Sequence, residues 1–192
     1  MKTKLIALCI AILASVSMFA QSIFFEQDIR FFNNSAVPFT QGQWDQKVSG
    51  GLSMGPYIAT SLGWNEAFWV VNYTTGNFAF GLGTGVEQLT NWSFRVSPWA
   101  QYTHPLGEKN SLKLFSLWEI GKGTGNYWYT NSLTYETPKW SVGALGRRTY
   151  GFGPIAGYKI GIGSWNLKIS AATPYDFEDT TLKPTIILTV TN

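Results

Sequence analysis

Charged side chains in this chain recur at even spacings inside otherwise apolar or aromatic stretches. Glu26, Asp28 and Arg30 stand two residues apart, Arg95 sits among aromatics, and Lys113 and Glu119 fall six apart. Arg147 and Lys168 occupy similar settings. In an extended strand, residues at even spacing share one face. These eight side chains are therefore expected to share one enclosed polar surface. Charges in such a surface must pair or hold water. The chemistry open to them is an ion-paired network that fills an interior, or a narrow polar path with a ligand site.

Other constellations are thinner. His104 is the only histidine, and it precedes Pro105 in an expected turn. No Asp-Ser pair is present to build a His-Asp-Ser set around it. No His or Cys cluster offers a transition-metal site, so neither metal nor cofactor is expected. Gly121-Lys122-Gly123-Thr124-Gly125 lacks the spacing and the following helix of a phosphate loop and reads as a flexible external loop. Asp176, Glu178 and Asp179 read as a solvated acidic loop, with weak Ca²⁺ binding as the alternative. Tyr127, Trp128 and Tyr129 fall in an expected external loop at 121–139, where they would touch a surface ligand or glycan, or join an interfacial aromatic belt.

The elements that must position these groups are strands. Residues 92–102 show the pattern best. Trp92, Phe94, Val96, Ala100 and Tyr102 share one face, while Ser93, Arg95, Ser97 and Gln101 share the other. A strand between lipid and a polar lumen has this character. Charged residues make up 13% and aromatics 16% of the chain, and glycines number 20, which suits a barrel with a lipid-facing wall. The formal charge is +3, and loss of Lys2 and Lys4 with a leader leaves +1. That balance argues against a nucleic-acid partner.

Residues 1–20 read as a cleaved secretory signal peptide, with Lys2 and Lys4, an apolar run from Leu5 to Val16, and Ala20 before the cut. Cys9 lies inside it, so residues 21–192 carry no thiol chemistry. They are expected to form one domain of eight strands, near 23–32, 47–62, 68–86, 92–103, 111–120, 140–160, 165–171 and 185–191. Polar loops are placed at 33–46, 87–91, 121–139 and 173–182, with tighter turns at 63–67, 104–110 and 160–164. A weak repeat, Gly55-Pro56-Tyr57, Ser97-Pro98-Trp99 and Gly153-Pro154-Ile155, suggests a bulge at each proline in strands that descend to one end.

Three segments carry a family resemblance: Phe19-Ala20 before Gln21-Ser22, Phe94 through Tyr102, and Gly153-Pro154-Ile155-Ala156-Gly157-Tyr158. The chain resembles the small outer-membrane β-barrel (porin-like) proteins of Gram-negative bacteria. The resemblance implies an eight-stranded antiparallel up-and-down transmembrane barrel with both termini in the periplasm. Its implied partners are outer-membrane lipid and the outer-membrane assembly machinery. The chain ends Thr189-Val190-Thr191-Asn192, where such barrels usually end in an aromatic residue.

The expected role is structural or surface-interacting, through external loops around a closed polar lumen and without catalysis. Two alternatives stand beside it. One is a secreted lipocalin-like ligand-binding barrel, suggested by Gly42-Gln43-Trp44. The other is a barrel enzyme acting on lipid, resembling the lipid A palmitoyltransferases.

Overall fold

The computed structural model describes residues 22–33, 35–89, 91–122 and 126–192. The signal-peptide reading of residues 1–20 lies outside them, as do Gly123–Gly125 of the glycine-rich loop.

Twelve antiparallel strands form the wall. They are β1 (Ser22–Phe32), β2 (Ser35–Ser49), β3 (Leu52–Ser61), β4 (Trp64–Thr75), β5 (Phe78–Gln88), β6 (Trp92–Pro105), β7 (Ser111–Gly121), β8 (Tyr127–Glu136), β9 (Trp140–Arg147), β10 (Gly151–Ile162), β11 (Trp165–Ala172) and, after two short strands, β14 (Thr185–Thr191). The short strands β12 (Tyr175–Asp176) and β13 (Thr181–Leu182) form a small hairpin in the β11–β14 connection. Each wall strand pairs with its neighbours in sequence, and β14 pairs with both β11 and β1. That last pairing closes the barrel and leaves no free edge in the wall.

The expectation of eight strands is wrong, and the four extra strands have identifiable sources. The stretches 68–86 and 140–160, each expected as one strand, fold back on themselves. Gly76-Asn77 closes the β4–β5 hairpin, with Gly76 at φ 55°. The chain turns at Arg148–Tyr150 between β9 and β10, with Thr149 at φ 67°. The expected polar loops at 33–46 and 121–139 are largely the strands β2 and β8. Tyr127, Trp128 and Tyr129 therefore begin a wall strand and do not sit in an external loop. The register carries no shift at Pro56, Pro98 or Pro154. The β2–β3 pairing is irregular between Lys47 and Ser49 instead. β3 also runs opposite to β6 and β10, so the Pro56 segment does not share their direction.

Alternation then sorts the side chains. Phe31, Trp92, Phe94 and Phe152 are exposed on the outer surface toward the end away from Ser22 and Thr191, here the distal end, with the end that holds Ser22 and Thr191 here the terminal end. Tyr73, Phe78, Trp140 and Trp165 are exposed on it toward the terminal end. Val71, Leu82, Leu114 and Ile169 lie between these two aromatic girdles. The interior holds Glu26, Asp28, Glu66, Glu87, Arg95, Glu119 and Arg147, all buried. An apolar outside and a charged inside suit a bilayer and reverse the arrangement of a lipocalin. Glycine makes room inside. A Cβ on Gly85 would stand 2.0 Å from the Ala67 carbonyl oxygen, and one on Gly81 would stand 2.4 Å from Trp99 Nε1.

Candidate functional site

The lumen is the site, and it has two unlike halves. The distal half is filled by two clusters, each centred on a guanidinium.

In the first cluster Arg147 reaches from β9 across to β1. It pairs with Asp28, and its Nη2 lies 3.1 Å from Glu26 Oε1. Its Nε donates to Thr130 Oγ1 at 3.2 Å. The guanidinium lies 5.2 Å from the Tyr150 ring centroid and 5.7 Å from that of Trp128. Tyr150 hydroxyl donates to Asp28 Oδ2 at 3.3 Å. Glu26 Oε1 also accepts from Gln41 Nε2 at 2.6 Å, and Gln41 Oε1 accepts from Tyr57 hydroxyl at 2.7 Å. One polar chain thus runs from β9 through β1 and β2 to β3. Arg30 stands at the rim of this cluster, 4.7 Å from the Tyr150 centroid, and donates to the Thr149 carbonyl at 2.6 Å.

In the second cluster Arg95 on β6 pairs with Glu87 at 2.5 Å and Glu119 at 3.2 Å. It also donates to Asn126 Oδ1. Trp64 Nε1 donates to Glu87 Oε2 at 3.0 Å. Glu66 is buried beside Arg95, with its carboxyl group against that of Glu119.

An aromatic stack joins the two clusters. Phe39 stands 5.8 Å from Trp64 and 6.3 Å from Trp128, centroid to centroid, with rings nearly parallel. These rings come from β4, β2 and β8, so they cross the lumen. Two ion-paired clusters bridged by stacked rings block the distal half.

The terminal half is open. A cavity of about 970 Å³ runs from the Tyr57, Trp128 and Arg147 level to the terminal mouth. Lys113, Lys159 and Lys168 line it together with Glu136. Glu136 pairs with Lys159 and, at 3.2 Å, with Lys168. Lys113 shares the electrostatic neighbourhood of all three but makes no ion pair among the described residues. Gln43, Asp45, Asn72, Gln101 and Trp99 supply the facing wall. Asn72 is fixed there, donating to Asp45 Oδ1 at 3.0 Å and accepting from Trp99 Nε1 at 3.1 Å.

The eight charged residues singled out from sequence all face inward, but they do not form one network. Glu26, Asp28, Arg30 and Arg147 belong to the first cluster, Arg95 and Glu119 to the second, and Lys113 and Lys168 to the vestibule. Trp128 also faces the lumen, whereas Tyr127 and Tyr129 face outward by register. Sequence reasoning missed Glu66, Glu87 and Glu136 because it placed them in turns and loops. Tyr150, which nothing in the sequence singled out, is 4% exposed inside the distal lumen. The signal was present for Glu136, since Trp128, Thr130, Ser132, Thr134 and Glu136 alternate with apolar or aromatic residues at most intervening positions.

His104 is exposed near the terminal end of β6, 3.4 Å from Tyr102 hydroxyl. At the distal rim, Asp176 and Asp179 bind Lys183 at 2.5 and 2.6 Å. Burial works against the Asp176 carboxylate, but its bonds to the Lys183 ammonium and the Glu178 amide hold its pKa below the usual value. The Lys183 ammonium and then the Thr181 hydroxyl lower that of Asp179. Lys183 also donates to the Thr149 carbonyl at 3.0 Å. It thereby ties the β12–β13 hairpin to the same turn that Arg30 grips.

No protein-family model matches the chain, and no curated protein matches it. Solved structures do. The KdgM porin in complex with disordered oligogalacturonate superposes with a TM-score of 0.57, covering 88% of this chain and 97% of that one at 10% identity. The KdgM porin alone gives 0.53 over the same shares at 11% identity. The fold is that of an outer-membrane porin. At this identity the likeness speaks for the wall and its closure, and the lumen of this porin-type barrel must be read from its own residues.

Proposed function

We propose that the protein is a gated porin-type barrel of the Gram-negative outer membrane. Its distal end is held shut, and its open vestibule takes an anionic, hydroxyl-rich solute. The observation that carries this reading is the division of the lumen. One half is sealed by Arg147–Asp28–Glu26, Arg95–Glu87–Glu119 and the Phe39 stack. The other is a cavity of about 970 Å³ whose wall carries Lys113, Lys159 and Lys168 against Glu136 and Asp45, with the mutually paired Arg147 and Glu26 at its inner end. Cations at the cavity wall favour anions, and the Ser, Thr, Asn and Gln side chains around them offer hydrogen bonds to hydroxyls. The oligogalacturonate of the KdgM complex, an acidic sugar chain, belongs to this chemical class and supports the choice. Short turns and the outer ends of β1 and β14 at the vestibule end suit a periplasmic mouth.

Tryptophan fluorescence tests the reading, because Trp99 and Trp128 line the cavity. Oligogalacturonate added to the detergent-solubilised barrel should change the emission saturably. An uncharged oligosaccharide of equal length should not, and Lys113→Gln/Lys168→Gln should weaken the response. Equal responses to both sugars would refute it.

A second reading, contact with a surface partner, has one observation in its favour. Phe177 and Leu182 are 72% and 62% exposed on the distal hairpin, and Phe177 packs edge-on against Tyr175 at 5.0 Å.

A further inference from the structure

Two polar pairs stand at mid-height on the outer surface, half a turn apart around the barrel. Gln27 faces Thr40 on β1 and β2, and Ser116 faces Asn131 on β7 and β8. Hydrocarbon offers them no hydrogen bonds, so each group must find partners within protein. Gln27 does so within its own wall. Its Nε2 donates to the Asp28 and Phe39 carbonyls at 2.9 and 3.0 Å, and its Oε1 accepts from Thr40 at 2.6 Å. Asn131 does not. Its Oδ1 accepts from Ser116 Oγ at 2.7 Å, and its Nδ2 has no partner among the described residues. Turning the amide over exchanges its two ends and still leaves one of them unmet.

We infer that the β7–β8 wall is a homodimer interface, sealed at its centre by Asn131 meeting Asn131 of a second copy. The symmetry of a membrane selects this occupant. Two copies inserted in the same direction can be related by a two-fold axis only if it lies along the membrane normal. Each residue near that axis then faces its own copy at the same height. A carboxamide is self-complementary, because two of them exchange two N–H···O bonds. The flanks supply apolar surface to bury, with Leu114, Trp118 and Leu133 exposed beside the pair and the Trp118 and Tyr129 rings in tilted contact at 5.2 Å. The opposite wall, with its amide already satisfied, has no such requirement and would face lipid.

The test uses the full barrel. Native mass spectrometry and sedimentation equilibrium in detergent should give a dimer. In isolated outer membranes under mild oxidation, Asn131→Cys should form a disulfide-linked dimer. Gln27→Cys, at equal height on the far wall, should form little. Asn131→Leu should weaken dimerisation roughly tenfold, while its unheated gel mobility stays that of folded barrel. A monomeric wild type in both measurements would overturn the inference. So would cross-linking no stronger at position 131 than at 27, or a folded Asn131→Leu variant that dimerises as tightly as wild type.

Discussion

Removing Arg147 should be among the most damaging single changes in the lumen. Among the described residues its guanidinium is the only cation that pairs with Asp28, whose side chain is fully buried. In Arg147→Ala, Glu26 keeps its bonds from Gln41 and Thr189, but among the described residues the Asp28 carboxylate keeps only the Tyr150 hydroxyl at 3.3 Å. Breaking a buried pair from one side costs about 3–5 kcal/mol, mostly because the surviving charge stays buried and unpaired. Both partners are almost fully enclosed, so solvent screening reduces this little. The loss corresponds to about two to three and a half orders of magnitude in the folding equilibrium. Replacing Asp28 in the same chain should undo much of it. Arg147→Ala/Asp28→Asn should be less damaged than the sum of the two single variants by at least about 1.5 kcal/mol. The assay is reversible urea unfolding from phospholipid bilayers, followed by tryptophan fluorescence and by unheated gel mobility. A single variant within about 0.5 kcal/mol of wild type, or strictly additive single costs, would show that the cluster is not a coupled ion-paired plug.

Three further outcomes are expected. Leu82→Arg puts a cation into lipid near mid-height and should cost about 2–4 kcal/mol, whereas Ser132→Arg, which faces the open cavity, should cost clearly less in the same urea titration. Gly85→Ala should prevent or severely impair assembly, because the added methyl meets the Ala67 carbonyl, and the yield of heat-modifiable barrel on gels reads this directly. The distal hairpin should loosen in acid. Asp176 and Asp179 have lowered pKa values in the folded state, so their stabilisation is complete above the ordinary carboxylate value of 3.8 and is lost as the pH falls below it. Amide exchange across residues 173–184, corrected for its intrinsic pH dependence, should therefore accelerate below that pH in wild type and show no such step in Lys183→Met.

The face of each strand was more legible in the sequence than the number of strands. Period-two alternation around Arg95 and along Glu26-Asp28-Arg30 survives any choice of turns, and Glu26, Asp28 and Arg95 are buried on the inner face. Strand count depends on where the chain reverses, and a two-residue hairpin such as Gly76-Asn77 hardly interrupts alternation. The stretch 68–86 is far too long for one transmembrane strand of about 9–11 residues, and that length was the overlooked signal. The stretch 121–139 was misread for the opposite reason, since its glycines and tyrosines resemble a loop by composition while its second half alternates as a strand. How the charges are grouped could not be read at all. Arg147 finds Asp28 across 119 residues of chain, and closure of the wall by β14 brings β1 within four strands of β9.

Stacked rings and ion pairs, and not a narrow wall, are proposed to shut this twelve-stranded barrel. Planar-bilayer recording tests it most directly. Wild type should insert without stable conductance, and Arg147→Ala/Phe39→Ala, which removes the guanidinium and the middle ring of the stack, should open a steady channel. A wild-type barrel that conducts stably on insertion, or a folded double variant that stays silent, would contradict the account.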